Sequence, residues 1–186
     1  LFNKIAGERV SIVEDIPGVT RDRIYYDTEW NGKPIMMIDT GGFEPTSGET
    51  IKVKMREQAQ IAIETADVIV FLCDVRAGVT ADDRDIGTML MKSGKPVIVA
   101  VNKIDSIGAL PMEYYEFYEL GFDGDPIALS SLHGTGTGDL LDRILELSPV
   151  ADEPEEPDDD TIKVAVIGKP NAGKSSLVNR ILGEDS

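Results

Sequence analysis

Lys163-Val164-Ala165-Val166-Ile167-Gly168-Lys169-Pro170-Asn171-Ala172-Gly173-Lys174-Ser175 is the stretch whose reading decides the fold. The run up to Ile167 has the apolar, β-branched character of a buried parallel strand. Gly168 to Ser175 fits G-x-x-x-x-G-K-[ST], and Ser175 to Leu182 reads as a helix closed by Gly183. Strand, glycine-rich loop and helix are the context in which backbone N–H groups curl round phosphates at a helix N-terminus. Lys174 would bring positive charge to the terminal phosphates, and Ser175 a hydroxyl to magnesium. A chance glycine-lysine loop is the alternative, and the flanking pattern argues against it. The motif lies only 11 residues from the end of the sequence, although such a loop normally opens its domain.

Just upstream, seven acids and no base fall between Asp152 and Asp160, among prolines, which reads as a solvated linker. The chain has 186 residues, enough for one full domain, with 41% apolar and 28% charged residues and a formal charge of −16. That charge discourages direct binding to nucleic acid. No apolar run approaches the roughly 20 residues that would span a membrane. The single Cys73 excludes an internal disulfide and reads as a core thiol, which fits a reduced, cytoplasmic setting.

Toward the N-terminus, Leu1–Ala6 reads as the end of a helix. Ile24–Trp30 and Pro34–Asp39 read as strands joined at the hairpin signal Asn31-Gly32. Beyond them lie a helix over 51–65, a strand over 67–74, a helix over 81–93 and a strand over 97–102. A helix over 111–120, a strand over 126–129 and a helix over 138–147 follow. The alternation predicts an α/β fold of three layers, a mainly parallel sheet with one antiparallel hairpin strand. Ligands of such sheets sit beyond the carboxyl ends of the strands, where every motif found here falls.

Asp39-Thr40-Gly41-Gly42 fits D-x-x-G: Asp39 would hold magnesium through water, and the Gly42 N–H would sense a γ-phosphate. Asn102-Lys103-Ile104-Asp105 is more specific. The Asp105 carboxylate can accept from guanine's N1–H and exocyclic amine, a pair of donors adenine lacks. Asn102 would brace base and loop, and the stem of Lys103 would pack over the ring. Ser130, Ser131 and Leu132 would complete the base pocket through backbone N–H groups. Thr20 would give magnesium a hydroxyl when triphosphate is bound. The nucleotide-binding set so read includes Asn171, Ala172, Gly173, Lys174, Ser175 and Ser176. Its chemical work is assigned to Lys174, Thr20 and Gly42, and its metal to Ser175, Thr20 and Asp39.

Together these elements resemble the translation-factor-like GTPases, and more closely the EngA (Der) family of tandem-domain bacterial GTPases of large ribosomal subunit assembly. The residues that carry this are Asp15-Ile16-Pro17-Gly18-Val19-Thr20-Arg21-Asp22, Asp39 to Phe43, Asn102 to Asp105, Ser130 to Gly136 and Gly168 to Ser175. The resemblance implies the P-loop GTPase fold, GTP and GDP as ligands with magnesium, and potassium held by Asn171, which adds Asn171 to the catalytic set. It also implies the large ribosomal subunit as partner through a longer parent protein, whose two GTPase domains share an acidic linker and precede a KH-like domain. Residues 1–148 then resemble a first GTPase domain without its opening strand and phosphate loop, 149–160 the linker, and 161–186 the opening of a second.

An internal repeat agrees with that division: Leu177-Val178-Asn179-Arg180-Ile181-Leu182-Gly183-Glu184 matches Leu1-Phe2-Asn3-Lys4-Ile5-Ala6-Gly7-Glu8 at five of eight positions. The segment from Ile162 to Leu182 is therefore expected to fill the empty central slot of the first domain. Phe43 stands where Ras-like proteins place a catalytic glutamine, and reads equally as a hydrophobe packing on the sheet. His133, Arg21 and Arg23 receive no catalytic role, and Tyr114, Tyr115, Phe117 and Tyr118 read as a packed helix with a wet face. Against GTP hydrolysis stands a catalytically silent guanine-nucleotide-binding or structural module. A kinase or ATPase is disfavoured by Asp105.

Overall fold

The computed structural model describes residues 24–41, 50–106, 108–149 and 160–183. The readings placed on Leu1–Ala6, Thr20, Arg21, Arg23, Gly42, Phe43 and the core of the acidic run lie outside them. Twelve elements run β1 (Ile24–Trp30), β2 (Lys33–Asp39), α1 (Ile51–Thr65), β3 (Val68–Asp74), a 3-10 turn (Val75–Ala77) and α2 (Ala81–Ser93). They continue with β4 (Val97–Asn102), a 3-10 helix (Met112–Leu120), β5 (Ile127–Ala128), α3 (Thr137–Leu147), β6 (Ile162–Gly168) and α4 (Lys174–Ile181). The strand order is β1-β2-β6-β3-β4-β5. Among the described strands only β1 pairs antiparallel, with β2, through a turn in which Asn31 and Gly32 both have positive φ, 50° and 77°.

β6, last in sequence, is central in space. It pairs in parallel with β2, Ile35 opposite Ile162 through Asp39 opposite Val166. It also pairs in parallel with β3, Val68 opposite Val164 through Leu72 opposite Gly168. Its entry is pinned at Asp67, whose N–H donates to the Lys163 carbonyl at 2.8 Å and whose carboxylate accepts from the Lys163 N–H at 2.9 Å. At the other end the Thr40 hydroxyl donates to the Val166 carbonyl at 2.8 Å.

Alternation along the central strands feeds two cores. Ile69, Phe71, Cys73, Ala165 and Ile167 face α1, α2 and the 3-10 helix. Val68, Val70, Leu72, Val164 and Val166 face α3 and α4. All ten are at least 97% buried, so β3 and β6 could not have shown the two-residue polar alternation of a half-exposed strand.

Two readings need correction. The expected strand over 126–129 is only Ile127–Ala128, because the Leu129 N–H still donates to the Val101 carbonyl while Ser130 turns to bridge Thr135. The segment read as a helix over 111–120 is a nine-residue 3-10 helix, unusually long for its type. Its sequence repeats every three residues, matching the 3-10 turn. Tyr114, Phe117 and Leu120 are buried, while Met112, Tyr115 and Tyr118 are exposed.

Candidate nucleotide site

The register sets Asp39, Gly168, Asp74 and Asn102 along one edge of the sheet, at the carboxyl ends of β2, β6, β3 and β4. This is the edge at which open α/β sheets hold ligands.

One half of the site is the loop from Gly168 to Gly173. A Cβ on Gly168 would stand 2.3 Å from the Leu72 carbonyl oxygen, so only glycine lets the backbone leave β6 here. Asn171 and Gly173 carry positive φ, 64° and 101°. Lys174 opens α4 and is 7% exposed, its Nζ donating to the Gly168 and Lys169 carbonyls at 2.8 Å each. Burial pulls its pKa down to about 8, opposed by the nearby Asp39 carboxylate. Asp39 is buried; its Oδ2 accepts from the Ser175 hydroxyl at 3.1 Å and its Oδ1 from the Gly41 N–H at 2.9 Å. Gly41 lies under the lysine stem, where a Cβ would come within 2.1 Å of Lys174 Cε.

Asn102 joins the two halves. Its Nδ2 donates to the Ala172 carbonyl at 2.8 Å, and its Oδ1 accepts from the Ser131 N–H at 2.9 Å and hydroxyl at 3.0 Å. A Cβ on Gly173 would stand 2.3 Å from Asn102 Nδ2, so that glycine is what admits the amide to the Gly168–Gly173 loop. On the far side, Asp105 Oδ1 accepts from the Ser130 hydroxyl at 2.7 Å and Oδ2 from Arg76 Nη2 at 2.9 Å. Lys103, at φ 68°, places Nζ 2.7 Å from Asp74 Oδ2. His133 Nε2 is 4.0 Å from Asp105 Oδ1, a loose flank to that carboxylate.

The structure thus brings Asp39, Lys174 and Ser175 together at one end, and Asn102, Lys103, Asp105, Ser130 and Ser131 at the other, joined through Ala172 and Gly173. Leu132 and Ser176 are exposed beside them. Several neighbours escaped sequence reasoning. Gln58 Oε1 accepts from the Gly168 N–H at 3.3 Å, and Lys169 Nζ meets the buried Asp83 carboxylate at 3.0 Å. Arg180 donates Nε to the Ser131 carbonyl at 3.1 Å and Nη2 to the Leu132 carbonyl, tying α4 to the turn after β5. Asp74 was the one findable from its place, since it ends β3 directly opposite Asn102.

The model of the MMR_HSR1 family, described as 50S ribosome-binding GTPase, matches residues 1–103 and 163–186. The chain belongs to this GTPase family. Its relatives include proteins named GTPase Der, with the one of Acetivibrio thermocellus 60% identical over 184 residues. That match covers 99% of this chain and 41% of the relative. GTPase Der of Alkaliphilus metalliredigens is 58% identical over 185 residues, all of this chain and 41% of the relative. This member of the 50S ribosome-binding GTPases thus spans about two fifths of the length of the curated relatives it matches. Among solved structures, a variant of Aquifex aeolicus Era bound to GDP.AlF4- is 32% identical with a TM-score of 0.58, over 82% of this chain and 53% of that one. The six-stranded, mostly parallel sheet with one antiparallel pair is the fold expected of the family.

Proposed function

We propose that this chain binds guanine nucleotide across the carboxyl edge of its sheet and hydrolyses GTP to GDP and phosphate. The observation that carries the proposal is the double engagement of Asn102, which links the phosphate loop at Ala172 to the base-side loop at Ser131. A single amide sets the spacing between a phosphate cradle and a carboxylate suited to guanine. Asp105 would accept from the base's N1–H and exocyclic amine, with Ser130 holding the carboxylate in place and Ser131 and Leu132 closing the loop around the base. Lys174, held by two carbonyls and costly to keep charged, is suited to exchange them for phosphate oxygens. Asn171, Ala172, Gly173, Ser175 and Ser176 would line the phosphates.

The hydroxyl of Ser175 and the carboxylate of Asp39, already 3.1 Å apart, form a hard-oxygen pair suited to magnesium, with Thr20 as the third contributor. When bound, magnesium neutralises charge on the phosphate oxygens during hydrolysis. The Gly42 N–H would report the γ-phosphate, and the Asn171 amide oxygen is the donor assigned to potassium.

The division into 1–148, 149–160 and 161–186 belongs to this proposal. In it, the phosphate loop of a second unit serves the first unit's Asp39 and Asp105. In its longer setting the protein would act in the cytoplasm as a nucleotide switch in large ribosomal subunit assembly. Among the described residues no helix is long and apolar enough to cross a membrane.

The repeat of 177–184 at 1–8 favours a second reading, in which a borrowed loop leaves a binding module without turnover. Phosphate release from GTP by the chain, with Lys174→Ala as control, separates the two. Release lost in that variant supports hydrolysis, and guanine-nucleotide binding with no release refutes it.

A further inference from the structure

The 3-10 helix Met112–Leu120 presents a surface that the nucleotide site does not use. Its sequence, Met-Glu-Tyr-Tyr-Glu-Phe-Tyr-Glu-Leu, repeats every three residues, and a 3-10 helix has three residues per turn, so i and i+3 eclipse. Three separate faces result. Tyr114, Phe117 and Leu120 are buried at 4%, 1% and 4% exposure. Glu113, Glu116 and Glu119 form an acidic row. Met112, Tyr115 and Tyr118 form an apolar row exposed at 80%, 53% and 46%.

The third row is ordered. The Tyr115 and Tyr118 rings lie 11° from parallel with centroids 6.4 Å apart. Both stand edge-on to the buried Tyr114 ring, at 82° and 87°. Tyr114 is in turn fixed by its hydroxyl, which donates to the Pro126 carbonyl. Met91 of α2, 46% exposed, lies close by against Gly121. Folding gains little from leaving the three large side chains of this row half in water, and the stacking of its two tyrosines next to a row of carboxylates indicates a partner.

Charge selects which partner. Glu119 is held by Arg84, at 2.6 Å, but among the described residues Glu113 and Glu116 have no side-chain partner, and the helix carries no base. A second copy using this face would set carboxylate against carboxylate. The chain's own acidic run at 152–160 is repelled, as are nucleic acid and anionic lipid. What fits is a cation that can also lie flat on a ring, and the planar, weakly hydrated guanidinium does so better than ammonium. We propose that the Met112–Tyr115–Tyr118 face docks an arginine-bearing basic segment of another protein, its guanidinium groups stacking on the tyrosines and pairing with Glu113 and Glu116.

The probe is a capped dodecapeptide of alternating arginine and glycine, compared with its lysine counterpart, by anisotropy at moderate salt. The arginine peptide binds the chain more tightly than the lysine one. The pair Tyr115→Ser and Tyr118→Ser weakens it about tenfold, whereas the pair Tyr115→Phe and Tyr118→Phe, which keeps both ring faces, binds as the parent does. GDP affinity and circular dichroism stay unchanged in both variants, which separates this surface from the nucleotide site. Equal affinity for arginine and lysine peptides, or no loss in the serine pair, would show mere attraction to a net acidic protein and overturn the proposal. Tighter binding of a single-stranded RNA oligonucleotide at this face would overturn it as well.

Discussion

Lys174 is buried with its ammonium on two backbone carbonyls, and its pKa of about 8 makes nucleotide binding a proton-linked event. Phosphate oxygens arriving at Nζ favour the charged form, so binding should draw in the proton that burial had loosened. Near pH 7 the lysine is already about nine-tenths charged and uptake is ~0.1 proton; near pH 9 the proportions reverse and uptake is ~0.9 proton. At pH 8, midway, uptake is ~0.5 proton, and there the diphosphate of GDP is ionised while guanine keeps its N1–H, so the ligand does not mask the signal. Calorimetry of GDP binding at pH 8 in two buffers of different ionisation heat measures the uptake directly. The same burial acts on stability. Keeping the charge inside costs the nucleotide-free fold about 3 kcal/mol below pH 8. Between about 8 and the lysine's ordinary value of 10.5 the unfolded chain binds more protons than the folded one, so this penalty is relieved and stability rises with pH. Buffer-independent heats at pH 8 in the parent chain would refute the reasoning, because Lys174 would then not be the group that meets the phosphates.

Three further outcomes follow from named contacts. Gly41→Ala places a methyl 2.1 Å from Lys174 Cε and should weaken GDP binding by on the order of tenfold while leaving the melting temperature nearly unchanged; unaltered affinity would show that the lysine is not held against β2. Asp105→Asn turns one acceptor into a donor. Preference for guanosine over xanthosine diphosphate, which carries a carbonyl at the same ring position, should fall by at least ~100-fold, and unchanged preference would place the base elsewhere. Asp83→Asn breaks the buried pair with Lys169 and half of the Thr80 capping box of α2, and should cost about 3 kcal/mol in denaturant unfolding. A loss below ~1 kcal/mol would mean that the pair contributes little.

The strands and most helices were legible because their signals are local. Asn31-Gly32 can satisfy a turn with two positive φ angles, α2 spans the expected 81–93 behind its Thr80 cap, and the apolar runs of β3 and β6 mark strands covered on both faces. The 3-10 helix was misjudged because periods of 3.0 and 3.6 differ by barely half a turn over nine residues. Its period-three sorting of Tyr114, Phe117 and Leu120 becomes plain only once burial is known. Candidate residues that belong to a contiguous motif were open to naming from sequence, since one loop would have to satisfy a phosphate or a base by itself. Gln58, Asp83 and Arg180 were not, because each acts by meeting a partner distant in sequence: Arg180 reaches a carbonyl 49 residues away, and Gln58 an N–H 110 residues away. Only the topology makes those neighbours.

The central claim is that the loop at Gly168–Ser175 and the strand ends at Asp39 and Asn102–Asp105 form one guanine-nucleotide site within this chain. Equilibrium binding of fluorescent GDP with magnesium to the monomeric chain, measured beside Lys174→Ala and Asp105→Ala, tests it most directly. The account predicts a one-to-one complex lost in either variant. Binding that survives removal of Lys174 but not of Asp105, or the reverse, would contradict it.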